Sequence, residues 1–264
     1  MVQQGDALDT YALRNDWTNA SRRLSLLAQC LDPITQSRLA SLGIPLGARC
    51  LEVGAGTGST ACFLADRVGA RGHVIATDLD TRFLLSLEQP RLEVWQHDVS
   101  TDELPEAQFD LIHARWLLYH LSSPTAAVAK LARALRPGGA LLLEDVDFFP
   151  LSESPSTDFI RYMEAVAAEV GARVGHDGHW AARRLPELLT EQGLRELNVD
   201  ARVTPVWGGE PMARFWILTG EQVRSPLLES GRLSAAELER GLSLLADSSF
   251  WSYSTANVAA SARR

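Results

Sequence analysis

Between Cys50 and Thr60 the chain reads CLEVGAGTGST, an apolar run that ends in Glu52 and leads into Gly54, Gly56 and Gly58. Glycine is favoured where a turn needs positive φ or where a side chain would collide with a ligand. Placed after a strand and before a helix, such a turn offers backbone N–H groups and a helix N-terminus to a bound group. Two acids follow in comparable places. Asp78 lies 20 residues beyond Gly58 and ends the run HVIATD, and Asp98 ends LEVWQHD. A carboxylate at the end of a second strand can accept hydrogen bonds from both hydroxyls of a ribose. An acceptor at the end of the third can take a proton from an adenine amino group. The spacing therefore points to a nucleoside. A dinucleotide fingerprint, G-x-G-x-x-G, would need glycine where Ser59 stands. Glu52 beside the turn would repel a pyrophosphate and suits an ammonium or a sulfonium.

Short apolar strands alternating with amphipathic helices must carry these groups. The strands fall at 50–53, 73–78, 92–98, 109–114 and 140–146, with a helix over 60–68, another around 82–88, and one capped by Ser122 or Ser123 that runs to Arg136. Continuous apolar strands separated by helices imply a parallel sheet covered on both faces. Ahead of them, residues 9–43 read as helical, with Asp32-Pro33 as N-cap and first turn of the helix ending near Gly43. After Pro150 the alternation loosens into helices at 154–174 and 180–192, a strand near 197–206, a helix at 234–246 and a last strand around 251–259.

The 264 residues, 46% of them hydrophobic, suit one large domain with a full core. A net charge of -8, with no basic run longer than a pair of arginines, argues against a nucleic-acid partner. Three cysteines, Cys30, Cys50 and Cys62, form no CxxC and read as reduced thiols, which together with the lack of a signal peptide predicts a cytoplasmic protein. No apolar run approaches the roughly 20 residues that cross a bilayer, so no membrane partner is expected. A homo-oligomer is compatible with all of this.

Taken together, LEVGAGTGS, VIATDLD, HDV, FDLIHAR and LRPGGALLLED resemble the motifs of the class I S-adenosylmethionine-dependent methyltransferases, over about residues 45–147. The remainder is similar, more loosely, to UbiE-like small-molecule methyltransferases. The resemblance implies a three-layer, Rossmann-like α/β fold. Its seven-stranded, mostly parallel sheet ends in an antiparallel strand. It also implies a helical cap at 1–43 and a methyltransferase domain at 44–264, with acceptor-side insertions at about 150–195 and 207–232. The cofactor would be S-adenosylmethionine and its product S-adenosylhomocysteine. The family's binding roles fall on Glu52, Gly54, Ala55, Gly56 and Gly58 at the methionine end, Asp78 at the ribose and Asp98 at the adenine. Leu79 and Val99 would pack on the adenine ring, and Ala114 and Arg115 would follow the fourth strand beside the methionine end. Arg23 is a candidate partner for the cofactor's carboxylate.

A sulfonium methyl is already activated, so transfer to oxygen, nitrogen or carbon of a small acceptor needs alignment and exclusion of water. A base is required only where the acceptor is protonated. His113 and His120, with Tyr119, are the candidates for facing the acceptor, because open α/β sheets bind ligands at strand C-termini. Trp116, Asp145, His176 and His179 are candidate acceptor contacts, whereas Glu144 reads as a buried, paired acid. GHDGHW is a weak metal signature, and no metal is expected. Aromatic residues after the fourth and fifth strands suit a lipophilic or partly aromatic acceptor, such as a secondary metabolite or quinone-like compound. A protein of this fold that binds the cofactor without methylating, or one that methylates a peptide, would carry the same nucleoside motifs.

Overall fold

The computed structural model describes residues 12–175 and 182–264. Helix α1 (Ala20–Ser41) leads into β1 (Arg49–Val53), α2 (Ser59–Arg67), β2 (His73–Asp78), β3 (Leu92–Gln96), β4 (Phe109–Arg115), α3 (Pro124–Ala134) and β5 (Leu135–Asp147). Beyond these lie α4 (Thr157–Ala172), α5 (Leu185–Glu191), β6 (Arg195–Trp207), α6 (Pro211–Gln222), α7 (Arg224–Glu229), α8 (Ala235–Ala246) and β7 (Trp251–Arg263). One sheet holds all seven strands in the order β3-β2-β1-β4-β5-β7-β6, and the last strand is antiparallel, as the sequence led us to expect. Its ladders β1–β2, β1–β4, β2–β3 and β4–β5 are parallel.

Register decides which side chains meet. Neighbours across a ladder point to the same face. Glu52 of β1 stands opposite His113 of β4, and Arg115 of β4 opposite Glu144 of β5. Ionisable groups on the central strands are thus set side by side inside the sheet.

By internal packing the chain falls into two compact units. One takes the described residues of Met1–Cys30, Val146–Ala181 and Ala201–Asn257; the other takes Leu31–Asp145, Ala182–Asp200 and Val258–Arg264. In the second unit, Leu39, Leu64, Val68, Val74 and Leu84 build a core on β1 and β2, all fully buried. A fully buried side chain of this kind contributes about 1.5–3 kcal/mol. The first unit is organised around Tyr162, whose phenol donates to the Trp216 carbonyl at 2.7 Å. Gly220 and Gly241 lie flat against its ring, where a Cβ on either would collide. Burial pushes that phenol far up, so it stays neutral.

Two local expectations are corrected. Asp32-Pro33 does not start a helix, because α1 runs unbroken through Pro33. An interior proline normally costs about 3 kcal/mol. Here burial of Leu31, Thr35 and Leu39 outweighs that propensity, and the Asp32 carboxylate is used elsewhere. The helix expected around 82–88 is only a tight turn over Thr81–Phe83, capped by Asp80, whose side chain accepts from the Arg82 amide. Leu84 and Leu87 then pack beneath Gly58 rather than along a helix face.

Candidate functional site

The glycine turn joins β1 to α2, with Gly54, Gly56 and Gly58 at φ of 69°, 56° and 82°. L-residues avoid that region. Packing adds a second reason at two positions. A Cβ on Gly54 would sit 3.0 Å from Leu117, and one on Gly58 would run into Leu87. The turn is fastened to the end of β2 by two bonds. Ala55 N–H donates to the Thr77 carbonyl at 2.9 Å, and Gly56 N–H donates to Asp78 Oδ2 at 2.8 Å. Asp78 Oδ1 accepts from the Asp80 amide at 3.1 Å. Burial raises the Asp78 pKa, and these backbone donors, with the Leu79 amide, only partly offset it. A carboxylate accepts about four hydrogen bonds, so acceptor capacity is left for hydroxyls.

The end of β3 is also held by the backbone. Asp98 N–H donates to Asp102 Oδ2 at 2.9 Å, while Asp98 Oδ1 accepts from Ser100 N–H at 2.8 Å. From α3 the buried Lys130 ammonium reaches under this loop and donates to the carbonyls of Val99 and Asp102, at 3.0 and 2.5 Å. Val99 is buried and Leu79 half-buried.

Across β1, β4 and β5 runs a line of charges. His113 Nδ1 lies 2.7 Å from Glu52 Oε2, and Nε2 lies 3.3 Å from Glu144 Oε1. Glu144 Oε2 accepts from Arg38 Nη1, and Arg38 Nη2 donates to Asp200 at 2.9 Å. Burial alone would lower the His113 pKa, but the two carboxylates outweigh it and raise it to about 9, which makes the ring an imidazolium. Burial likewise opposes ionisation of Glu144, yet His113, Arg38 and Arg115 hold it down at about 2. His113 is 0% exposed with both ring nitrogens engaged, so it is enclosed within the sheet.

Arg115, at the end of β4, donates to Thr35 Oγ1 at 2.9 Å and to Asp32 Oδ1 at 2.8 Å. The same Asp32 oxygen accepts from Ser59 Oγ at 3.1 Å. Helix α1 thus ties the start of α2 to the end of β4. Ala114 is buried beside it. The next residue, Trp116, sits at φ 52° while its N–H donates to the Glu144 carbonyl at 2.8 Å. A bulky residue held in the left-handed region stores strain of order 1–3 kcal/mol, a feature that clusters at ligand sites.

The other candidates are spread more widely. Tyr119 is buried, its N–H donates to the buried Asp145 carboxylate at 3.0 Å, and its ring meets half-buried His120 edge-on at 5.6 Å. Arg23 belongs to the first unit, where it is buried with its guanidinium 5.7 Å from the Phe215 ring centroid. His176 and His179 lie outside the described residues. Among the described residues no group of His, Cys, Asp and Glu is arranged to hold a metal ion.

Sequence reading missed Arg38, Asp32, Asp200 and Lys130. Only Asp32 carried a local signal, and its proline neighbour suggested a cap. The partners of all four lie between 27 and 162 residues away along the chain, far beyond any local pattern.

Residues 51–143 match the family described as a methyltransferase domain. Over this segment the chain is similar to methyltransferases. The chain is 35% identical over 103 residues to an uncharacterized methyltransferase of Mycobacterium tuberculosis, an alignment covering 37% of this chain and 51% of that protein. Over 147 residues it is 29% identical to the ubiquinone/menaquinone biosynthesis C-methyltransferase UbiE of Edwardsiella ictaluri, covering 52% of this chain and 57% of that one. The chain therefore spans little more than half the length of these relatives. The same fold is seen in a putative methyltransferase from an antibiotic biosynthesis pathway of Anabaena variabilis, with TM-score 0.61, 16% identity, and 88% and 97% of the two chains covered. The matched segment holds Glu52, the glycine turn, Asp78, Asp98 and His113. Among the described residues no helix is long and apolar enough to cross a membrane.

Proposed function

We propose that the methyltransferase domain binds S-adenosylmethionine at the ends of β1, β2 and β3 and transfers its methyl group to oxygen, nitrogen or carbon of a small molecule. The observation that carries this reading is the Asp78 carboxylate, fastened to the Gly56 amide and retaining acceptor capacity at the mouth of the turn. In this reading Asp78 accepts from the ribose hydroxyls, and Asp98 from the adenine amino group, between Leu79 and Val99. Glu52 and the glycine turn receive the positively charged methionine end. S-adenosylmethionine supplies a methyl group activated by its sulfonium.

The chain's own part is to hold donor and acceptor in line and to exclude water. Arg115 contributes by bracing the end of β4 against α1, and the strained Trp116 presents the chain just beyond it. Tyr119 and His120 follow it, and Asp145 of β5 accepts from the Tyr119 amide. If the acceptor is a phenol or alcohol, His120 is the base that fits best, being less enclosed than Tyr119 or His113. The likeness to UbiE supports a quinone-like acceptor.

Incubation with methyl-labelled S-adenosylmethionine and a fractionated extract containing quinols tests this. Label is expected in the small-molecule fraction. Label in protein would mean a peptide acceptor. Binding of the cofactor without any transfer would mean a non-methylating use of the fold.

A further inference from the structure

We propose that His113 is a positioning residue, which fixes the Glu52 carboxylate at the entrance to the glycine turn so that it can receive the ammonium and sulfonium end of the cofactor. This rests on the reading of the site given above and assigns a role to the buried line of charges behind it.

Glu52 stands two residues before Gly54 and is buried, so its carboxylate needs a partner. Inside the sheet a lone carboxylate would turn towards any donor or take up a proton. His113 supplies that partner from the adjacent strand at 2.7 Å, in direct register. The imidazole is fixed in turn from its far side by Glu144, and Glu144 by Arg38, which is anchored on Asp200. Glu52 on β1, Glu144 on β5, Arg38 on α1 and Arg115 on β4 are the charged groups that bear on this centre. Each group from His113 to Arg38 has an ionic partner on two sides, so the ring can neither rotate nor leave without stranding a buried charge. The raised affinity of His113 for its proton agrees with this arrangement. A second-row group that fixes a ligating carboxylate acts on the part of the ligand that the carboxylate touches and leaves the remainder alone.

That difference gives the test. S-adenosylhomocysteine carries the amino-acid end, whereas methylthioadenosine has the same nucleoside without it. In His113→Leu the affinity for S-adenosylhomocysteine is expected to fall about tenfold while that for methylthioadenosine is unchanged. His113→Asn, whose amide nitrogen falls at the Nδ1 position and keeps an N–H donor towards Glu52, is expected to restore most of the loss. Should His113→Leu fail to fold, His113→Gln serves in its place, because its amide nitrogen falls at the Nε2 position and faces Glu144 instead of Glu52. Equal losses for both ligands would assign His113 a purely structural role, and unchanged affinity for both would remove it from the site; either overturns the proposal. Failure of the wild-type protein to bind either ligand would instead overturn the cofactor reading itself.

Discussion

At the end of β2 a half-buried carboxylate is answered by backbone amides, whereas within β4 a fully buried imidazole is answered by two carboxylates. Asp78 has Gly56 and Asp80 as donors and is left with a raised pKa. His113 lies between Glu52 and Glu144, and Arg38 completes the neutralisation. The first place is under-satisfied and receptive. In the second, His113 is held between Glu52 and Glu144, which fixes the geometry of the line. Both belong to the same unit, and both were built from acids on neighbouring strands.

The largest effect that would break this contrast is on folding. Glu144→Ala leaves His113 and Arg38 without their shared acceptor and is expected to destabilise the protein by about 3–5 kcal/mol in urea denaturation. Asp78→Asn should cost less, since removing a carboxyl with a raised pKa partly offsets the acceptor lost towards Gly56 or Asp80. Equal destabilisation by both would erase the distinction.

The same contrast appears in pH. The His113 value is raised from 6.5 to about 9, so its contribution is complete below pH 6.5 and is lost as pH rises through about 9. Glu144 is depressed from 4.5 to about 2, so its contribution is present above pH 4.5 and is lost as pH falls towards 2. Thermal denaturation across pH should therefore show a plateau between these limits that falls on both sides. In Glu144→Ala both flanks should flatten.

Smaller effects probe the turn. Gly54→Ala forces an L-residue to φ 69° against Leu117 and should cost about 1–2 kcal/mol of stability, with a loss of cofactor affinity. Ser59→Ala removes one hydrogen bond to Asp32 and should cost about 0.5–1.5 kcal/mol, measured by the same denaturation. Arg115 still holds Asp32 in that variant.

How much of this was legible in the sequence follows from the range of the interactions. The strands, the order of glycine turn and acids, and the antiparallel last strand rest on local periodicity and on the family resemblance. The glycine turn was readable because its conformation is set by its own residues. His113 could be found as a strand-end histidine, but its enclosure depends on the register of three strands and on Arg38 from a helix far ahead of it. Asp32 misled for the same reason. Its local neighbour Pro33 suggested a cap, while its actual partners, Ser59 and Arg115, come from elsewhere in the fold. The turn at 81–83 was mistaken for a helix because buried Leu84 and half-buried Leu87 mimic a helical apolar spacing while packing under Gly58.

The most direct test is calorimetric titration of S-adenosylhomocysteine into the wild-type protein and into Asp78→Ala. The account predicts saturable binding at one site by the wild type. In the variant the affinity should be weaker by about 1–3 kcal/mol, roughly five- to 150-fold, with the fold intact. Undiminished affinity in the variant, or a wild-type protein that takes up NAD and ignores S-adenosylhomocysteine, would contradict it.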